Sequence, residues 1–188
     1  MVYPIYVYGH PVLRKVAEDI DRDYEGLDRL IDDMFETMHH SDGIGLAAPQ
    51  IGKSIRLFIV DGTPIAEDEP DLAGFRQVFI NPYIRERSGE LVMMNEGCLS
   101  IPQIREEVNR ESIIRIEYFD RDWNFHNEII RGFRARIIEH EYDHLDGVLF
   151  TDLVSPLRKR LLKSKLAGIG RGNFSVDYKT ILPKQKVK

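Results

Sequence analysis

Phe133-Arg134-Ala135-Arg136-Ile137-Ile138-Glu139-His140-Glu141-Tyr142-Asp143-His144-Leu145-Asp146-Gly147 combines a helical apolar repeat with the pattern H-E-x-x-H. Phe133, Ala135, Ile137, Ile138, Tyr142 and Leu145 spread around most of a helical circumference. That predicts a helix over 133–146, buried on several sides, with Gly147 as its stop. At about 3.6 residues per turn, His140 and His144 project in nearly the same direction and can share one metal ion. Glu141 lies at the flank of that pair, within reach of a metal-bound water yet not aimed at the metal. The plainer alternative is two surface histidines on an ordinary helix. Here the helix is apolar nearly all round, so unpartnered histidines would be buried at a cost that a metal removes.

To the N-terminal side, residues 23–40 read as a first helix, because Leu27, Leu30, Ile31, Met34, Phe35 and Met38 recur at spacings of three and four. Ser41-Asp42-Gly43 ends it, and Gly43-Ile44-Gly45-Leu46-Ala47-Ala48-Pro49-Gln50 reads as a loop of small residues. Residues 56–61 and 77–80 are rich in Ile, Val and Phe and read as strands, with an acidic surface loop over 62–74. Residues 104–108, 112–119 and 124–130 read as further short strands, with turns at Asn109-Arg110 and Asp120-Arg121. Residues 156–166 form a third helix with Leu157, Leu161, Leu162 and Leu166 on one stripe. Strands in the middle with helices before and after, without regular alternation, make an α+β fold. The expected architecture is antiparallel β-sheets packed around the central H-E-x-x-H helix, flanked by an N-terminal and a C-terminal helix.

At 188 residues the chain can bury one core without staples. A single domain over 1–167, closing with the third helix, is expected, followed by a basic tail over 168–188. No apolar run approaches a membrane span, so no membrane partner is expected. The first eight residues lack the basic start and cleavage site of a secretory signal. Cys98 is the only cysteine, which forbids an intramolecular disulfide and favours a reducing compartment; a cytoplasmic location is the expectation. Charge is uneven. From residue 158 onward ten basic residues face one acid, leaving sixteen basic and thirty acidic residues before it. Such asymmetry fits contact with a polyanion, and equally a solvated helix with a loose tail.

Two histidines do not complete a catalytic site; a third protein ligand is needed, with water in the fourth position. Cys98, in Glu96-Gly97-Cys98-Leu99-Ser100, is a candidate, as are His126 and several acids. Taken alone, a cysteine in such a setting is more often a small core residue than a ligand. The chain resembles the bacterial peptide deformylases, which remove the formyl group from the initiator methionine of nascent proteins. The resemblance rests on three segments in the right order: residues 43–50, Glu96-Gly97-Cys98-Leu99-Ser100, and His140-Glu141-Tyr142-Asp143-His144-Leu145-Asp146-Gly147. It implies that Cys98, His140 and His144 are the metal ligands and Glu141 the catalytic carboxylate. Gln50 and the backbone N–H of Leu99 match the pair that stabilises the oxyanion. Ile44, Gly45 and Gly97 match residues that line the channel and bind the peptide backbone, and Arg105 falls near the mouth of the site.

The resemblance also implies the reaction: a metal-bound water attacks the formyl carbonyl of an N-formylmethionyl nascent peptide, with Glu141 as general base and then acid, releasing formate. Sulfur and nitrogen ligands together exclude magnesium and calcium and fit Fe(II), Zn, Co or Ni. Fe(II) is implied in the cell, with Zn, Ni or Co possible in purified protein. Ile44, Leu99 and Ile137 are candidates for the methionine side-chain pocket, and each reads equally as plain core. The basic C-terminal segment is a candidate for ribosome contact. Two departures from the family pattern stand out. Glu139 replaces the usual glutamine before the first histidine, with consequences for the basicity of His140. Gly168, Gly170 and Gly172 imply that the terminal helix stops early.

Overall fold

In the computed structural model, which describes residues 1–184, the order is β1 (Ile5–Tyr6), α1 (Leu27–His40), β2 (Gly45–Ala47), β3 (Leu57–Asp61), β4 (Arg76–Cys98), β5 (Ile101–Phe119), β6 (Phe125–Arg131), α2 (Gly132–Leu145), α3 (Pro156–Ile169) and β7 (Thr180–Ile181). A five-stranded sheet runs β2-β3-β4-β5-β6, antiparallel throughout. A separate parallel pair joins β1 to β7. The fold is α+β, as the segregation of strand and helix patterns predicts.

All six apolar residues of the α1 stripe are buried, and the helix ends at His40 as read. It begins at Leu27 rather than 23, because Gly26 takes a left-handed φ of 72° and breaks the run just before it. β4 and β5 depart further from the reading. The short strands expected at 77–80, 104–108 and 112–119 belong to one long hairpin, paired from Ile80↔Phe119 to Cys98↔Ile101 with four register breaks. No turn interrupts it at Asn109-Arg110; those residues pair with Met93 and Val92. Alternation in fact continues through this stretch: Ile104, Glu106, Val108 and Arg110 are buried while Gln103, Arg105, Glu107 and Asn109 are exposed. Two of the buried set are charged, so hydropathy hides the period that accessibility shows. Residues 43–50 are likewise not all loop. Gly45–Ala47 is a strand paired with β3, followed by a 3-10 turn at Ala48–Ile51.

α2 matches its expected span and lies across the sheet. Ala135, Ile137, Ile138, Tyr142 and Leu145 pack with Phe58, Val60, Phe79, Ile114, Ile116 and Tyr118. α3 is capped by Ser155, whose Oγ accepts from the Arg158 N–H, and runs to Ile169. Only part of its leucine stripe is core: Leu162 and Leu166 are buried, whereas Leu157 is 64% and Leu161 58% exposed. Beyond α3 the chain folds back, placing Phe174 against the apolar cluster of Leu162, Leu166 and Ile169 and pairing β7 with β1.

Candidate metal and active site

The end of β4 meets the middle of α2. Cys98 is the last residue of β4, at a register break, and His140 and His144 stand one turn apart on α2. One donor atom from each of the three lies within 4.8 Å of the others. Cys98 Sγ is 3.3 Å from His144 Nε2, and the two imidazole rings are 5.3 Å apart at 79°. The Nδ1–H of His140 donates to Glu96 Oε2 at 2.9 Å, which fixes the ring and leaves Nε2 as its free donor atom. A soft thiolate together with two imidazoles fits a divalent transition ion. His126 is elsewhere: it pairs with Asp120 at 2.8 Å and stacks on Tyr118.

Glu96 sits under this group as the hub of a buried charge network. Its oxygens accept from Arg110 Nε at 2.7 Å and Nη2 at 3.0 Å, and from Arg136 Nη1 at 2.9 Å. Burial alone would raise its pKa; the hydrogen bonds from His140 and Arg110 hold it well below the usual carboxylate range. Arg110 also reaches Asp143 at 2.7 Å. Glu139 faces the other way, buried, with Oε1 accepting from Arg87 Nε at 3.0 Å. The carboxylate that acts on His140 is therefore Glu96.

Glu141 is 5% exposed, and burial pushes its pKa up to about 7. It lies so close to β2 that a Cβ on residue 45 would collide with its carboxylate, so any side chain there would displace Glu141 from its place. Gln50 is buried and held at both ends. Its Oε1 accepts from the Ala47 N–H at 2.8 Å, and its Nε2 points at Cys98 Sγ (3.4 Å) and Ser100 Oγ (3.3 Å). Leu99 occupies the two-residue connection between β4 and β5, and its carbonyl accepts from the Tyr178 hydroxyl at 2.8 Å. Burial pushes the Tyr178 pKa up to about 12, so this group is a donor.

A cavity of about 570 Å³ opens here. Ile44, Gly45, Gly97, Arg105 and Ile137 all line it, together with Gln50, Cys98, Leu99, His140 and Glu141. Of the residues assigned to the site from the sequence, only His144 is not on its wall; it is 1% exposed, behind Cys98. Arg105 lies at an exposed edge, its Nε donating to Asn95 Oδ1 at 3.0 Å, and packs over Gly97. Sequence reasoning missed Glu96 as the partner of His140, and Arg136, Val176 and Tyr178 on the cavity wall. For Glu96 the signal was available, since a ligating histidine ordinarily gives its second nitrogen to a carboxylate. For the tail it was the alternation Phe174-Ser175-Val176-Asp177-Tyr178.

Residues 2–160 match the family model described as polypeptide deformylase. The chain is 50% identical to a peptide deformylase of Christiangramia forsetii, with 99% of this chain and 98% of the relative covered. It is 49% identical to one from Salinibacter ruber, covering 95% and 93%. Among solved structures it is similar to the peptide deformylase of Thermus thermophilus, with TM-score 0.79 and 43% identity over 91% of this chain and 97% of that one. It is also similar to that of Plasmodium falciparum, with TM-score 0.80 and 36% identity over 89% and 95%.

Proposed function

This chain belongs to the polypeptide deformylase family and is a hydrolase, and from that premise we propose that it removes the formyl group from the N-formylmethionine of new polypeptides. Cys98, His140 and His144 would hold the family's divalent ion, with Fe(II) the ion proposed for the cell. That ion, when bound, supplies a water of lowered pKa and polarises the carbonyl under attack. The observation that carries the reading is the buried Glu141 carboxylate facing Gly45, beside a thiol and two imidazoles, on the wall of one cavity.

Glu141 takes the proton of the attacking water and returns it to the departing amine nitrogen, so that formate leaves one way and the free amino terminus the other. Burial of its carboxylate raises its affinity for that proton, which suits it to take the proton up. Gln50 Nε2 and the Leu99 N–H receive the carbonyl oxygen as it becomes negative. Gln50 is preset for this, because the Ala47 N–H holds its other end. Ile44, Leu99 and Ile137 offer apolar surface to the methionine side chain, while Gly45 and Gly97 let the peptide backbone approach. Arg105 at the mouth is placed to meet the rest of the chain. The basic face of α3 is proposed to meet ribosomal RNA; Lys159, Arg160, Lys163 and Lys165 on it are exposed.

The test is formate release from formyl-Met-Ala-Ser by wild-type protein and by Glu141→Gln. The variant is expected to lose roughly 10²–10⁴ in kcat while still carrying one metal ion per chain. Full turnover in the variant would remove Glu141 from its role.

A further inference from the structure

The C-terminal segment reaches the cavity, and nothing in the reaction as described so far uses it. Burial alternates along it: Phe174, Val176 and Tyr178 are half-buried, while Ser175, Asp177 and Lys179 are exposed. The segment is laced to the wall of the site. Gln103 Nε2 donates to the Ser175 carbonyl at 3.2 Å, and the Ile5 and Val7 N–H groups donate to the Lys179 and Ile181 carbonyls at 2.8 and 3.1 Å. Tyr8 N–H, in turn, donates to the Ser100 carbonyl at 2.8 Å.

The connection that presents Leu99 is thus gripped at both of its carbonyls, Ser100 by the N-terminal segment and Leu99 by the Tyr178 hydroxyl. Those bonds hold the Leu99–Ser100 and Ser100–Ile101 peptide planes, and the first of these adjoins the Cys98–Leu99 plane that carries the Leu99 N–H. An oxyanion donor is effective only if it is aimed before the charge develops, and an error of about 1 Å can cost ~10²-fold in rate. Val176 and Tyr178 also line the same cavity as Leu99, Cys98 and Glu141.

We propose that residues 174–178 are part of the substrate site, with Tyr178 a positioning residue that, by holding the Leu99 carbonyl, fixes the peptide plane next to the one that carries the Leu99 N–H. Val176 and the Tyr178 ring form an apolar wall for a side chain of the bound peptide. This rests on the deformylase reading above.

The experiment compares full-length, metal-loaded wild type, Tyr178→Phe and Val176→Ala on formyl-Met-Ala-Ser and on formyl-Met peptides carrying leucine at the second or third position. Tyr178→Phe keeps the ring and deletes one O–H. Its kcat is expected to fall roughly 10-fold with KM within about 2-fold, the split of a group acting on the transition state. Val176→Ala removes no hydrogen bond and is expected to raise KM about 3-fold for a leucine peptide, with kcat held. A Tyr178→Phe protein that melts lower yet keeps wild-type kcat assigns the tyrosine to stability and overturns its positioning role; so does one that fails to fold. Unchanged KM in Val176→Ala for every peptide overturns the wall. If wild type itself releases no formate, the deformylase reading fails and this inference falls with it, a result distinct from an active wild type with indifferent variants.

Discussion

Glu96 shows how much of the site depends on one side chain that is not itself a ligand. It neutralises two buried guanidinium groups and orients His140. Glu96→Gln leaves Arg110 and Arg136 under-compensated in a buried setting, a situation that costs about 3–5 kcal/mol. It also replaces the acceptor of the His140 Nδ1–H by a weaker one, which lowers metal affinity about 10–100-fold. Urea unfolding and chelator competition on the same variant read the two effects separately. Wild-type values in both would show that Arg110 and Asp143 suffice to hold the helix. The sequence carried Glu96 in plain sight beside Cys98, but two residues of separation say nothing of a partner forty-four positions away.

At the level of elements, the turn between β5 and β6 offers a clean pH test. Asp120 accepts from His126 and Asn124 and from the N–H groups of Asp122 and Asn124. Burial pushes its pKa up, but these bonds outweigh it and hold the carboxyl at about 2. A depressed acid contributes stability that is present above its unfolded value of 3.8 and lost as pH falls through about 2. Asp120→Asn is therefore expected to cost about 1 kcal/mol near pH 7, after solvent screening, with the gap to wild type closing toward pH 2. A gap that is constant over this range in urea melts would assign the cost to shape alone. α3 gives a second test, of its proposed ribosome contact. Deleting the helix would strip Leu162, Leu166 and Ile169 from the core, so charge reversal is the better probe. Glu at Lys159, Arg160, Lys163 and Lys165 is expected to weaken ribosome co-sedimentation and flatten its salt dependence, with formyl-peptide turnover retained. Undiminished binding would end that proposal.

Across the whole molecule, the sheet, α2, the first residues and the segment 174–181 converge on a single place. β4 supplies Cys98 and α2 the two histidines, while the N-terminal and C-terminal segments clasp the turn that follows Cys98. A cation held as proposed, by two elements so distant in sequence, would be a cross-link of the native state. At free metal about 1,000 times the dissociation constant, binding adds about 4 kcal/mol to stability. Chelation is then expected to lower Tm by roughly 10 °C, read by calorimetry, with recovery on adding metal back. An unmoved Tm would mean that these three donors hold no ion in the folded protein.

Local patterns were enough for α1 and α2, for the α+β class and for His140, Glu141 and His144, because a helical repeat and the H-E-x-x-H spacing are short-range geometry; Gln50, Cys98, Leu99 and the rest of the expected cavity wall came from the family resemblance of three segments. The length of the β4–β5 hairpin was not legible. Its buried positions include Glu106 and Arg110, whose polarity reads as surface until Arg158 and Glu96 are brought to them. The same holds for the place of the C-terminal segment. Hydrogen bonds and ion pairs between distant residues leave no period in a sequence, so only the folded chain decides which buried charges are matched and which side chains meet at the site.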